Sequence, residues 1–250
     1  MKKTNYKYLN IKGAVLDNYQ LEQYMEKIAT SHDVELTSNI ATYPIPRLKD
    51  NYRFIEKTYD LLNKHIKMGI NLYPAGEWLL DNFYIIEETF KTVCKEMTIT
   101  KYKKLPGITT GMYKGFSRIY VVASEIVAYT DNKINDEILS MAISAYQRRK
   151  TLAMEEIWNL WIFLEIAIIE NIRNICEKIY SSQVQKYKVE SIIERLVEKK
   201  EANTQVFKPI KDEYKENVSY KEMKYPFIEY MSYKLKSTGR KGLPYLEIWE

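Results

Sequence analysis

YPAGEWLLDNFYIIEETFKTVCKEM, residues 73–97, decides the fold class. Pro74 stands where a first helical turn needs no amide donor, and Glu77 places a carboxylate at the positive end of the helix dipole. Trp78, Phe83, Ile86, Phe90, Val93 and Met97 then recur at helical steps, so the segment reads as one amphipathic helix to about Met97. The stripe predicts Trp78, Phe83 and Ile86 in a core. Asp81 and Asn82, short polar side chains beside it, are expected to bond loop backbone.

The same periodicity recurs on both sides. Leu21, Met25, Ile28 and Ala29 mark a first helix over Asn18–His32. Val34–Arg47 reads as a connector in which Pro44 and Pro46 stop any helix. Tyr52, Ile55, Tyr59, Leu62 and Ile66 give a second helix over Lys49–Met68, with Gly69 as its C-terminal cap. Leu105–Gly107 and Gly111–Gly115 read as loop. Ser117–Tyr129 is a fourth helix, and Asn135 caps a fifth over Asp136–Arg149. Thr151 caps a sixth, long helix through Ile157–Tyr180. Val184, Tyr187, Ile192, Leu196 and Val197 mark a seventh. Tyr220–Lys236 is an eighth, ended by the Ser237–Gly242 stretch. No run alternates with period two, so the expected class is all-α: an irregular array or bundle of about eight helices with negligible sheet. The organisation that follows is an extension at 1–15, a helical domain at 16–198, a linker or exposed loop at 199–219 and a helical segment at 220–250. That last segment carries Leu243, Leu246 and Trp249 as an unfinished apolar pattern, read as a truncation.

Composition narrows the classes. The chain has 250 residues, 46% hydrophobic and 28% charged, ordinary for a folded protein and far from a disordered one. Tyrosine is abundant at 22 residues, a side chain suited to core edges and interfaces. The net charge of +5 is spread along the chain, and the basic stretches Lys101–Lys104 and Lys234–Lys241 are short, so no nucleic-acid partner is expected. Cys94 and Cys176 are far apart, fitting a reducing compartment. Two Cys and two His without ligand spacing give no zinc site, and no cofactor or metal is expected. No apolar run follows the basic Met1–Lys12 as a leader would require. The most apolar run, Ile157–Ile169, carries Asn159 and Glu165 and is too short and polar for a membrane span.

Candidate chemistry is sparse. Glu77, Asp81 and Glu88 lie on nearby faces of the third helix; they suit acid–base work or, with no His beside them, structural bonding. Glu155 and Glu156 read as compensation of a helix dipole. Glu170 lies in the most apolar helix with Arg173 three residues on, so a buried Glu170–Arg173 pair with Asn171 beside it is expected. His32 and His65 have no nucleophile near them in sequence and read as structural or solvated. The Gly107–Gly115 loop lacks the ending of a phosphate loop. Trp78, Trp158, Trp161 and Trp249, at helical spacing, read as core rather than as sugar platforms.

Pro74–Glu88 resembles the P-A-A-E-W-L-L-D-N-F-x-x-I-E-E stretch near the start of cyclic β-1,2-glucan synthases. Pieces in that family's order follow. Gly115–Tyr120, with Arg118 and Tyr120, looks like G-Y-P-R-V-Y; Ala128–Asp131 looks like A-H-T-D; Ala145–Gln147 looks like A-Y-Q. Leu152–Trp158 looks like L-T-x-x-E-L-W, and Ile169–Arg173 looks like I-E-N-L-R. The departures are Gly76 for Ala, which loosens a helix start, and Tyr129 for His. The resemblance runs from about Leu16 to Tyr180. It implies an N-terminal helical region of a large membrane glycosyltransferase that builds a β-1,2-glucan from UDP-glucose. The family's transferase, membrane spans and phosphorylase-like domain follow the matched region.

The implied role is therefore a non-catalytic scaffold, with the downstream domains of the same or a companion synthase as partners and a glucan contact allowed. The implied location is cytoplasmic, at the inner face of the membrane. The alternative is a free-standing helical adaptor using a Tyr-rich surface. The motif positions Pro74, Glu77, Trp78, Asp81, Asn82, Glu88, Arg118, Tyr120, Asp131, Gln147, Trp158, Glu170, Asn171 and Arg173 are expected to be structural, none catalytic.

Overall fold

The computed structural model describes residues 9, 11, 13–35, 42–198, 224–242 and 245–246. Among them are eight α-helices and one two-stranded sheet: α1 (Asn18–Ser31), β1 (Val34–Glu35), α2 (Ile45–Lys67), α3 (Pro74–Glu96), α4 (Ile99–Tyr102), β2 (Gly107–Ile108), α5 (Arg118–Tyr129), α6 (Asp136–Gln147), α7 (Met154–Glu198) and α8 (Lys224–Ser237). A short 3-10 turn, Gly239–Lys241, follows α8. The fold is all-α, as the periodicity requires.

Helix ends follow local chemistry. Asp17 caps α1 through a reciprocal pair of bonds with Gln20. The Asn135 side chain accepts the Ile138 amide at 2.8 Å and starts α6. Gly69 adopts φ +72° after α2; its amide bonds Ile66 O and the Ile70 amide bonds His65 O, the paired closure that a left-handed residue permits.

Four boundaries differ from the periodic reading. The connector holds β1, which pairs antiparallel with β2 (Val34 opposite Ile108, Glu35 opposite Gly107). Pro46 lies in the first turn of α2, where a missing amide costs nothing, so it opens the helix instead of stopping it. Thr151 does not cap the long helix, which starts at Met154. The expected sixth and seventh helices are one, because the Ser181–Ser182 pair between them holds no Gly or Pro to break the backbone bonding. The stretch read as a linker at 199–219 lies outside the described residues.

The chain forms two compact units, and α2, α3 and α7 each supply residues to both. The first comprises Met1–Ile55 and Phe83–Asn174. Its centre is α5, where every residue from Arg118 to Val127 is buried. A helix enclosed on all sides must satisfy its polar side chains internally, and the first unit's polar clusters gather around it. Tyr102 is fully buried here; its hydroxyl accepts the Ser117 amide at 3.2 Å.

The second unit comprises Glu56–Asn82 and Ile175–Glu250. Val189, Ile192 and Ile193 of α7 pack with Phe227, Met231 and Leu235 of α8 and with Tyr245. Ile228 and Leu246 lie against the same cluster. At the start of α3, a side chain placed on Gly76 would begin 3.2 Å from Leu62 Cδ2, so the glycine permits a close approach to α2.

Candidate functional site

The polar centre of the first unit begins at the N-terminus of α5. Arg118 Nε donates to Glu156 Oε1 at 2.9 Å, and its Nη2 donates to Glu156 Oε2 and to Thr151 O, the latter at 3.1 Å. Only 8% of the Arg118 side chain and none of the Glu156 side chain is exposed. The same carboxylate accepts the Ala153 amide at 2.8 Å, which fixes the entry of α7. Glu156 was expected to compensate a dipole at a helix start; it is instead half of a buried bidentate pair joining α5 to α7.

Behind Arg118 lies Tyr146, fully buried on α6, whose hydroxyl sits 2.9 Å from His32 Nδ1. Lys150 Nζ donates to the His32 carbonyl at 2.5 Å. Burial, and then the charges of Arg118 and Lys150, pull the His32 pKa down to about 4, so the imidazole is neutral at pH 7. Its Nε2 is buried without a hydrogen-bond partner. Such a ring packs and orients; with both cations against it, protonation is disfavoured.

A second cluster surrounds Glu125, which is fully buried on α5. Tyr24 and Tyr113 donate their hydroxyls to its two carboxylate oxygens at 2.9 and 2.5 Å. Burial raises the Glu125 pKa against the opposing pull of the two hydroxyls. The Tyr24 ring also packs 4.4 Å, centroid to centroid, from that of Tyr129.

The third cluster corrects an expectation. Glu170 is held from α2: Arg47 Nη2 donates at 2.6 Å, Arg47 Nε at 3.1 Å, and the Asn51 amide completes the set. Arg173 is not its partner; the guanidinium lies over the Phe54 ring, 5.2 Å from the centroid. Asn171 donates to Asn132 Oδ1 at 2.8 Å instead of joining Glu170. Glu170, Asn171, Tyr120 and Ser124 line a small cavity of about 80 Å³, closed on one side by Leu9 and Ile11. That volume has room for a few water molecules. A larger open groove of about 640 Å³ runs between α1 and α6, where Arg148 and Arg149 already pair with Glu22 and Glu26.

The remaining predicted positions separate into two groups. In the second unit, Pro74, Glu77 and Asp81 are exposed, and Asn82 donates to Trp78 O of its own helix at 2.8 Å, not to a loop. In the first unit, Glu88 is exposed, Gln147 Oε1 accepts the Leu152 amide at 3.4 Å, and Asp131 sits in a left-handed turn at φ +52°. Ile86 is buried as expected and Phe83 is half-buried. The tryptophans overturn the core reading: Trp78, Trp158 and Trp161 are all exposed, and Trp249 lies outside the described residues. Helical spacing shows which residues share a face, but not which face meets the interior.

Sequence reasoning passed over Glu125, Tyr24, Tyr113, Arg47 and Asn51. Glu125 did carry a signal: it is the one acid in the otherwise uncharged run 119–127, and an acid in such a run must be partnered or neutral. Among the described residues no group of three or more His, Cys, Asp or Glu could hold a metal ion, and no helix is long and apolar enough to cross a membrane.

No protein-family profile matches the chain. Over 151 residues it is 26% identical to the cyclic beta-(1,2)-glucan synthase NdvB of Rhizobium meliloti (strain 1021). The match covers 60% of this chain and 5% of that protein. This stretch is thus related, distantly, to a small region of a cyclic β-glucan synthase.

Proposed function

We propose that this chain is a non-catalytic helical scaffold of a cyclic β-1,2-glucan synthase-like protein, supporting the glycosyltransferase that builds the glucan from UDP-glucose. The observation that carries the reading is what the motif residues do. Arg118 closes the buried pair with Glu156, Gln147 holds the Leu152 amide, Glu170 ties α7 to Arg47 and Asn51, and Asn171 ties α7 to Asn132. These residues join helices to one another. The similarity to NdvB supports the assignment to a synthase. A second reading, a free-standing helical adaptor, is favoured by the exposed tryptophans.

The test is direct. The purified chain, given radiolabelled UDP-glucose and a glucan acceptor with and without divalent metal, should transfer no label; transfer would make it an enzyme. In the synthase, Arg118→Met should lower glucan output in proportion to protein abundance and leave ring size unchanged. A changed ring size at normal abundance would place Arg118 in the chemistry and end the scaffold reading.

A further inference from the structure

Residues 9–16 precede α1, and those of them that are described belong to no helix or strand. They nonetheless lie against the first unit. Leu9 is buried at 7% exposure, and Leu9 and Ile11 form one wall of the cavity at Glu170. Further along, the Leu16 amide donates to Tyr129 O at 2.9 Å, which ties the segment to the last residue of α5. Between these anchors the backbone passes over the Tyr129 ring. A Cβ placed on Gly13 would lie 2.1 Å from Tyr129 Cε1, so glycine is what lets chain and ring approach this closely. The ring does not yield freely, because it packs against that of Tyr24.

What the segment covers is polar. Tyr120 and Ser124 of α5 and Glu170, Asn171 and Asn174 of α7 line the cavity beneath Leu9 and Ile11. Glu170 is the carboxylate that Arg47 and Asn51 hold from α2, so the cavity adjoins the charged contact joining α2 to α7. The strength of such a contact depends on the water around it: a solvated ion pair contributes little, a shielded one much more. With the segment in place, the Glu170 side chain keeps 17% exposure.

The grip of the segment is light. Among its described residues Leu9 alone is buried, and Gly13, Ala14 and Val15 are exposed. A stretch with one buried apolar side chain opens far more readily than the core it covers. We infer that residues 9–16 are a strap that shuts water out of the Glu170 cavity, and that lifting its Leu9 end turns the Arg47–Glu170 pair from shielded to solvated while the rest of the first unit stays folded. Closed, the strap stiffens the junction of α2 with α7; lifted, it leaves that junction to a pair that water screens. The inference concerns the first unit alone and does not depend on the scaffold reading.

Thiol labelling and a double-mutant cycle test it together. Leu9→Cys and, as a core control in α5, Val122→Cys are placed singly in a chain carrying Cys94→Ser and Cys176→Ala. The Leu9→Cys thiol should react with iodoacetamide about a hundredfold faster than the Val122→Cys thiol, through local opening. Gly13→Val should speed the Leu9→Cys reaction further. The cycle uses Arg47→Met and Glu170→Gln. In the wild-type background their coupling should be worth about tenfold or more in the folding equilibrium. In the Leu9→Ser and Gly13→Val backgrounds it should fall to about threefold or less, with helix content by circular dichroism unchanged. Should Gly13→Val fail to fold, Leu9→Ser decides alone. Labelling at Leu9→Cys no faster than at Val122→Cys would make the segment part of the core and overturn the strap. Coupling that is the same with and without the strap variants, or already at the solvated level in wild type, would show that the segment shields nothing and overturn it equally.

Discussion

Two glutamates nine residues apart on α7 show what the two sides of this helix are for. Glu156, on the inner side, is fully buried and every oxygen is engaged: a bidentate guanidinium and a backbone amide. Glu165, on the outer side, is half-covered, and one of its oxygens has no partner. Glu165 sits in the more apolar stretch of sequence, IFLEIAII at 162–169, yet Glu156, with Glu155 beside it, is the one fully buried. The difference lies in the element across from each: α5 brings Arg118 to Glu156, and no described element brings a cation to Glu165. A carboxylate in a low-dielectric setting is stable only where its partner is fixed. The inner side therefore reads as finished structure and the outer side as surface.

The largest expected effect tests the finished side. Arg118→Met leaves Glu156 buried without its cation, and removing one member of such a pair typically costs about 3–5 kcal/mol. Adding Glu156→Gln to Arg118→Met should recover part of that loss. Denaturant melts of the single and double variants measure it. Strictly additive losses would mean the two side chains stabilise the unit independently, and the contrast with Glu165 would lose its basis.

The next effect depends on pH. The His32 pKa falls to about 4 in the folded chain from an ordinary value near 6.5. Between those values the unfolded chain binds the extra proton, so stability rises with pH across that window and is lost as pH falls through it. The full span of about 2.5 pH units corresponds to about 3 kcal/mol. Glu125 acts oppositely: its pKa is raised, so its contribution to stability falls as pH rises above the usual carboxylate value. Thermal melts from pH 7 to 4 should therefore show a steeper acid loss in Glu125→Gln than in wild type, and a flatter one in His32→Gln. Unchanged slopes in His32→Gln would show that the imidazole titrates freely and is not held neutral by its surroundings.

How much of this was legible in the chain depended on how local the physics is. The α3 start at Pro74 and Glu77, the Asn135 cap and the Gly69 closure could be read because each involves residues within one turn. The all-α class followed from periodicity for the same reason. The partner of Glu170 could not be read. The neighbour rule offers Arg173 on the same helix, whereas the actual cation, Arg47, lies 123 positions away and arrives only when α2 packs against α7. Glu156 was misjudged because an acid in a first helical turn has a sufficient local explanation, which hides a tertiary one.

The Glu170 cluster lies between the two extremes and sharpens the comparison. The Arg47 and Glu170 side chains keep 21% and 17% exposure, against 8% and 0% for Arg118 and Glu156. Water shares the charge there, so Arg47→Met should cost about 1.5–3 kcal/mol, the range of a hydrogen bond to a charged group. Arg173→Met should cost less, since it removes a stacked cation over Phe54 and leaves Glu170 with its partners. Chemical denaturation of both variants ranks them. A larger loss at Arg173 than at Arg47 would restore the pairing that helix spacing alone suggests.

The smallest effect is the most informative about the outer side. Trp158 leaves 67% of its surface to solvent, so Trp158→Ser surrenders little burial within the chain and should shift stability by less than about 1 kcal/mol. A core tryptophan truncated in the same way would cost about 3–5 kcal/mol. The two outcomes are separated by more than the error of a denaturant melt. A loss in the core range would mean that Trp158 packs within the folded chain, and that the row from Met154 to Trp161 is as finished as the Glu156 side. A loss under about 1 kcal/mol leaves a large apolar side chain whose presence the fold itself does not require. In that case the indole belongs to the exposed surface of the first unit, where apolar side chains are ordinary, and not to its core.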